Sequence, residues 1–86
     1  MSSKEKLFEK IKSGPNNVRF EDLETMMLSF GFNMRSTSHG GFFLHDRIRG
    51  LAVHVAKPHG REKKVLKPYV NQCIDAIERL KEDQNE

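Results

Sequence analysis

The spacing of apolar residues along the chain predicts three helices. Apolar side chains recur with helical spacing in residues 4–12, and again at intervals of three and four in residues 20–30. Gly31 directly follows the second stretch, where a C′ glycine commonly ends a helix. A last helix is predicted from about Lys67, with Pro68 at its first position. The residues expected to face the core are Leu7, Phe8 and Ile11, then Phe20, Leu23, Met27 and Phe30, and finally Val70, Cys73, Ile74, Ile77 and Leu80.

Between the second and third helices, the apolar period changes to the alternation that is typical of strands. Residues 32–37, 41–46 and 50–56 are the predicted strands, and the last of them alternates most clearly. The turn before it contains Gly50, which can adopt a positive φ. The side chains of the third strand that are expected to face the helices are Leu51, Val53 and Val55.

The faces of the second strand follow from pairing it with the third. Phe42 and Leu44 are the expected partners of the helix-facing residues across the hairpin. The exposed face then carries Phe43, His45 and His54, and counting back by twos adds His39 to it. Gly40 and Gly41 precede this strand, where glycine often marks a bulge or the close approach of another backbone.

These elements predict one α+β domain over residues 1–86, in the order helix, helix, three strands, helix. The helices are expected on one face of a three-stranded antiparallel sheet. Residues 1–17 contain the first predicted helix and the Gly- and Pro-containing linker that follows it. The polar tail, residues 81–86, is expected to fray.

Charge is unevenly distributed along the chain, whose formal net charge is +3. From Arg35 to Lys67 there are eight basic and two acidic residues, whereas the rest of the chain carries seven basic and ten acidic residues. A basic middle between acidic flanks is typical of nucleic-acid binders. A solvated basic loop would produce the same pattern.

Several other classes of protein are not expected. No apolar run approaches the ~20 residues of a membrane span, and the N-terminus lacks the apolar region of a signal peptide. A single cysteine, Cys73, cannot form an internal disulfide framework, and its place on an apolar stripe predicts a buried side chain. We therefore expect a cytoplasmic protein without a membrane association.

The candidate chemistry lies in four histidines: His39, His45, His54 and His59. No metal-binding spacing is present, so neither a metal nor another cofactor is expected. For His45 and His54 we expect polar side chains on the solvent side of the sheet. RNA cleavage needs little machinery, because the substrate's own 2′-hydroxyl is the nucleophile and one histidine can move a proton.

Four short motifs resemble the HicA (YcfA-like) toxins of bacterial type II toxin–antitoxin pairs. The match covers about residues 20–78, so the resemblance implies a core of these residues, preceded by an extra helix and linker at 1–17. Ser38-His39 matches the end of the family's "GSH", with Thr37 in place of the glycine, and an apolar strand follows. His59-Gly60 matches the "HG" after the valine-rich strand. Leu66-Lys67 matches the "LK" before the last helix, and Gly31-Phe32 matches the end of the preceding helix.

This resemblance implies a fold like the double-stranded-RNA-binding domain and a metal-independent endoribonuclease, or mRNA interferase, that cleaves mRNA and inhibits translation. The catalytic histidine of the family corresponds to His39. The implied partner is a HicB-like antitoxin, through which the toxin would reach DNA only indirectly. The residues expected to bind RNA are Arg35, Ser38, Lys57, His59, Lys63, Lys64 and Lys67.

Two alternatives remain open from the sequence. The basic segment would equally suit a non-catalytic module that binds double-stranded RNA through its shape and phosphates. The aromatic side chain of Phe43, expected to be exposed on the sheet, would suit a domain that only docks a protein partner.

Overall fold

The computed structural model describes residues 2–58 and 64–84, which form three helices and one sheet. The elements, in chain order, are α1 (Ser3–Ser13), α2 (Phe20–Ser29), β1 (Asn33–Thr37), β2 (Gly40–Leu44), β3 (Ala52–Ala56) and α3 (Lys67–Gln84). This confirms the predicted α+β class and the predicted order of elements. No helix within the described residues is long and apolar enough to cross a membrane.

The sheet has the strand order β1-β2-β3, and both neighbouring pairs are antiparallel. Pairing between β1 and β2 runs without interruption from Asn33↔Leu44 to Thr37↔Gly40. Pairing between β2 and β3 runs from Leu44↔Ala52 to Gly40↔Ala56. Five consecutive residues face five in each pair, so neither ladder contains a bulge.

The faces predicted for β2 are wrong, because the register reverses them. Phe43 pairs with Val53 and is completely buried, whereas Phe42 pairs with His54 and is 40% exposed. Adjacent phenylalanines give alternation no preference, so pairing with β3 decides which of them faces the core. The helices cover the face that carries Phe43, and we call the other side, with Phe42 and His54, the open face.

The helix α1 is part of the core of the domain. Its Phe8 and Ile11 are buried in the same cluster as the apolar stripe of α3. Every residue that was predicted for the α3 stripe is buried in this cluster. The Lys81 ammonium lies 4.3 Å from the Phe8 ring centroid and donates a 2.7 Å hydrogen bond to Glu5 of α1. These contacts connect α3 to α1, and α3 extends to Gln84.

The end of α2 sets the direction in which the chain enters the sheet. Gly31 has a φ of 91°, and its N–H donates to Leu28 O at 3.0 Å. The next N–H, of Phe32, donates to Met27 O at 3.1 Å. These two bonds form a Schellman motif, in which a C′ glycine satisfies the last carbonyls of the helix. The predicted role of Gly31 is thereby confirmed.

Candidate nucleic-acid interface

His39 lies at the tip of the hairpin that joins β1 to β2. Ser38 and His39 form a two-residue turn between the paired residues Thr37 and Gly40, and both side chains are exposed. The His39 carbonyl accepts a 2.8 Å hydrogen bond from the N–H of Lys57, which continues the pairing with β3 by one residue. The hairpin tip, residues 37–40, is therefore fixed to the end of β3.

The count by twos that put His39 on the open face started from Phe43 as an exposed residue, and Phe43 is buried. His39 itself lies in the turn, outside both strands, so strand alternation does not assign its side chain to either face. The Lys57 ammonium lies on the helix-facing side, 5.6 Å from the centroid of the Phe20 ring at the start of α2. His39 is exposed, as predicted.

Gly40 allows β3 to approach the tip closely. A Cβ atom at Gly40 would overlap the Val55 carbonyl oxygen and lie 2.9 Å from Ala56 Cα. Its φ is not positive, so the requirement for glycine here is steric rather than conformational. Of the two expectations for this glycine, close approach of another backbone is confirmed and a bulge is wrong.

Further cations lie where the chain enters α2 and α3. Arg19, directly before α2, forms an isolated antiparallel bridge with Lys64, and the Val65 N–H donates to Val18 O at 2.8 Å. Lys67 begins α3, whose first turn contains no acidic residue. Lys64 thus contacts the start of α2 through its bridge with Arg19, and Lys57 contacts it through the Phe20 ring.

The structure brings together some of the predicted RNA-binding residues. Ser38, His39 and Lys57 meet at the hairpin tip, and Lys64 and Lys67 lie along the entry to α3. Arg35 is separated from them, because it lies on the open face opposite Phe42. The two remaining residues, His59 and Lys63, lie outside the described residues. Arg19 was not among the predicted RNA-binding residues. The sequence signal that could have identified it is its position immediately before a predicted helix, where side chains are commonly exposed.

The charges at this end of the domain are mostly positive. Within residues 2–58 and 64–84, the ion pairs join Lys12 to Glu78, Arg47 to Asp83 and Lys81 to Glu5. None of these pairs involves Arg19, Lys57, Lys64 or Lys67. Glu21 and Asp22 in the first turn of α2 are the nearest acidic residues in sequence to Arg19. These four exposed cations therefore form no ion pair with the carboxylates in the part of the chain that the structure describes.

His45 has a structural role, and the prediction that it lies on the solvent side of the sheet is wrong. Its Nδ1 accepts a 3.1 Å hydrogen bond from the Arg47 N–H, so its Nε2–H donates to the Phe30 carbonyl at 3.2 Å. The half-buried ring also meets the edge of Phe32 at a centroid distance of 4.9 Å. His45 thus fastens the end of α2 to the end of β2.

His54 is exposed on the open face, as predicted, and lies among aromatic rings. Its centroid is 4.8 Å from that of Phe42 and 6.4 Å from that of Tyr69. Among the histidines in the part of the chain that the structure describes, only His39 has neither a side-chain hydrogen bond nor a ring contact. His39 is therefore the one whose imidazole is not already used in packing.

Cys73 is unsuited to nucleophilic chemistry. The side chain is completely buried, and burial raises the pKa of its thiol to about 12. Since the thiolate is the nucleophilic form, this thiol is inert in the folded protein. Across the described ranges, no group of three or more His, Cys, Asp or Glu side chains is arranged to hold a metal ion.

Comparison with known proteins adds no relative to this description. No family model, no curated protein and no solved structure matches the chain. The resemblance to the HicA toxins therefore depends on the short motifs of the sequence, and the activity that it implies stays a prediction.

Proposed function

We propose that this protein is a HicA-like toxin, a metal-independent endoribonuclease that cleaves mRNA in the cytoplasm with His39 as its catalytic residue. The observation that carries the proposal is the exposed His39 imidazole at the hairpin tip, where the backbone of Lys57 is hydrogen-bonded to that of His39. Its position in the family motif and its freedom from structural contacts both favour a catalytic role over a packing role.

The architecture supports binding to RNA at this end of the domain. Helix, three antiparallel strands and helix, with the helices on one face, is the order of elements in double-stranded-RNA-binding domains. We infer such a fold for α2 through α3, with α1 as an additional helix. In this arrangement the hairpin tip and the start of α3 would contact phosphates, because exposed lysines and a helix N-terminus both attract them.

The proposed chemistry needs one proton to be moved at the correct place. The substrate 2′-hydroxyl attacks the adjacent phosphorus, and the bond from phosphorus to the 5′-oxygen breaks. The products are a 2′,3′-cyclic phosphate and a 5′-hydroxyl. His39 accepts the proton of the 2′-hydroxyl or donates one to the leaving 5′-oxygen, and water makes the other of these two proton transfers. Lys57 stabilises the charge on the phosphate. A HicB-like antitoxin would block this end of the domain.

The experiment compares the wild type with His39→Ala and His39→Asn in bacteria and in purified form. We expect loss of growth arrest, and cleavage of single-stranded RNA about 10²–10⁴-fold slower, in both variants. Lys10→Ala, which removes an exposed cation from α1, is the control and should cleave normally. Unchanged cleavage in either His39 variant would refute the catalytic role. Binding of duplex RNA without cleavage by the wild type would favour the non-catalytic module instead.

A further inference from the structure

The open face of the sheet carries a row of side chains that no part of the proposed reaction uses. Arg35, Phe42 and His54 stand opposite one another in the register, one on each strand. The rings of Phe42 and His54 are 4.8 Å apart, and Tyr69 approaches His54 at 6.4 Å. We call these four residues the aromatic row.

The aromatic row is accessible from solvent. Phe42 is 40% exposed, and the side chains of Arg35 and His54 are exposed, while that of Tyr69 is half-buried. The neighbouring row on the side of the hairpin tip consists of Thr37, Gly40 and Ala56. Since these three residues are small, a flat molecule could reach the exposed face of Phe42 from that side.

The charge and chemistry of the open face restrict what it can bind. Its paired positions carry one cation, Arg35, and the Asp46 carboxylate lies at the far end of this face, where it accepts a 3.5 Å hydrogen bond from Asn33. The other row of this face consists of Asn33, Leu44 and Ala52. An aromatic ring stacks on a nucleobase of any sequence, and arginine contacts phosphates or stacks on bases. Single-stranded RNA presents both unpaired bases and phosphates, whereas the bases of a duplex are stacked inside it.

We propose that the aromatic row is a stacking site for the unpaired bases of single-stranded RNA. One base stacks on Phe42 beside His54, and Arg35 contacts the adjacent phosphate. Identification of the ligand as RNA rests on the proposed function, but the site is separate from His39. Phe42 lies three residues after His39 in the sequence, at most about 10 Å along the chain, and it belongs to the open face of the sheet, whereas His39 lies in the turn.

The test measures binding rather than cleavage. The probe is a short, fluorescein-labelled, single-stranded 2′-O-methyl oligoribonucleotide, which has no free 2′-hydroxyl to act as a nucleophile. Fluorescence anisotropy then gives its Kd for each variant. We expect Phe42→Ala to bind roughly 5- to 100-fold more weakly than the wild type, because the stacked base loses its aromatic partner.

Two further substitutions separate stacking from other effects. Phe42→Tyr retains an aromatic ring and should bind the probe almost as tightly as the wild type. Phe42→Leu retains apolar bulk without a ring and should bind nearly as weakly as Phe42→Ala. Leu28→Ala removes an exposed apolar side chain from α2 and is the control, since Leu28 is 46% exposed away from the sheet. Thermal melts establish that each variant is folded.

The outcomes distinguish the stacking site from the proposed catalysis. Wild-type affinity in Phe42→Ala or Phe42→Leu would overturn the stacking site, even if His39→Ala abolished cleavage. Equally tight binding of a blunt duplex with the same sequence would also overturn it. A weakened Phe42→Ala variant together with an active His39→Ala variant would retain the stacking site and refute the catalytic assignment.

Discussion

Replacement of the two adjacent phenylalanines of β2 tests the register of the sheet directly. Phe43 is completely buried opposite Val53, and Phe42 is 40% exposed opposite His54. The variants Phe43→Ala and Phe42→Ala remove the same atoms from neighbouring positions. Any difference between their stabilities therefore reports which face of β2 is packed against the helices.

The burial of each ring sets the expected loss of stability. Phe43→Ala leaves a cavity in the core, for which the usual cost is about 3–5 kcal/mol. Phe42 has roughly three-fifths of its surface covered, and full burial of phenylalanine contributes about 1.5–3 kcal/mol, so its loss should cost about 1–2 kcal/mol without a cavity. A domain of this length has a free energy of unfolding of about 4–13 kcal/mol. The Phe43 variant could therefore lose most of its stability.

Urea unfolding followed by far-UV circular dichroism measures both losses. We expect the midpoint of Phe43→Ala to lie well below that of Phe42→Ala, with the wild type highest. Phe43→Leu and Phe42→Leu are less disruptive substitutions, and their urea midpoints should have the same order. They replace the alanine variants if Phe43→Ala does not fold. Equal losses at both positions, or a larger loss at Phe42, would refute the register and put Phe42 in the core.

Two further predictions concern Cys73 and Gly40. Because burial raises the pKa of the Cys73 thiol to about 12, above its ordinary value of 9.0, the unfolded chain loses this proton at a lower pH than the folded protein. The free energy of unfolding should therefore fall between about pH 9 and about pH 12, by up to ~1.4 kcal/mol per pH unit. Urea titrations should show a smaller decline over this range for Cys73→Ala. An equal decline in the variant would contradict the explanation by burial of the Cys73 thiol. Gly40→Ala should lower the free energy of unfolding by about 1–3 kcal/mol, because the added Cβ overlaps the backbone of β3. In Gly14→Ala, the control, the nearest atom would be 3.9 Å away, and a loss in thermal melts as large as that of Gly40→Ala would refute the steric explanation.

The three histidines that the structure describes differ in the contacts of their imidazole rings. His45 is engaged through both ring nitrogens, with Phe30 and with Arg47. His54 lies between Phe42 and Tyr69 on the open face. Only His39, at the hairpin tip, is exposed without such contacts among the described residues. Proton transfer to a substrate requires an accessible ring nitrogen, which favours His39 over the other two.

The sequence alone determined the elements and most of the core. Helical and alternating periods are local properties, so they predicted all six elements and the buried stripe of α3. The C′ role of Gly31 was equally local, because only a residue that tolerates positive φ suits that position. The exposed cations around Lys57, Lys64 and Lys67 followed from composition, since charged side chains between elements rarely become buried.

The tertiary structure decided the faces of β2 and the role of His45. Phe42 and Phe43 are both apolar, so only pairing with β3 could show that Phe43 faces the helices and that Phe42 lies on the open face. The hydrogen bond from His45 to Phe30 joins residues fifteen positions apart, which no local pattern contains. The core position of α1 likewise depends on contacts with α3, at the far end of the chain. Periodicity identifies an element and its apolar side, whereas contacts between distant residues determine which side becomes buried when both are apolar.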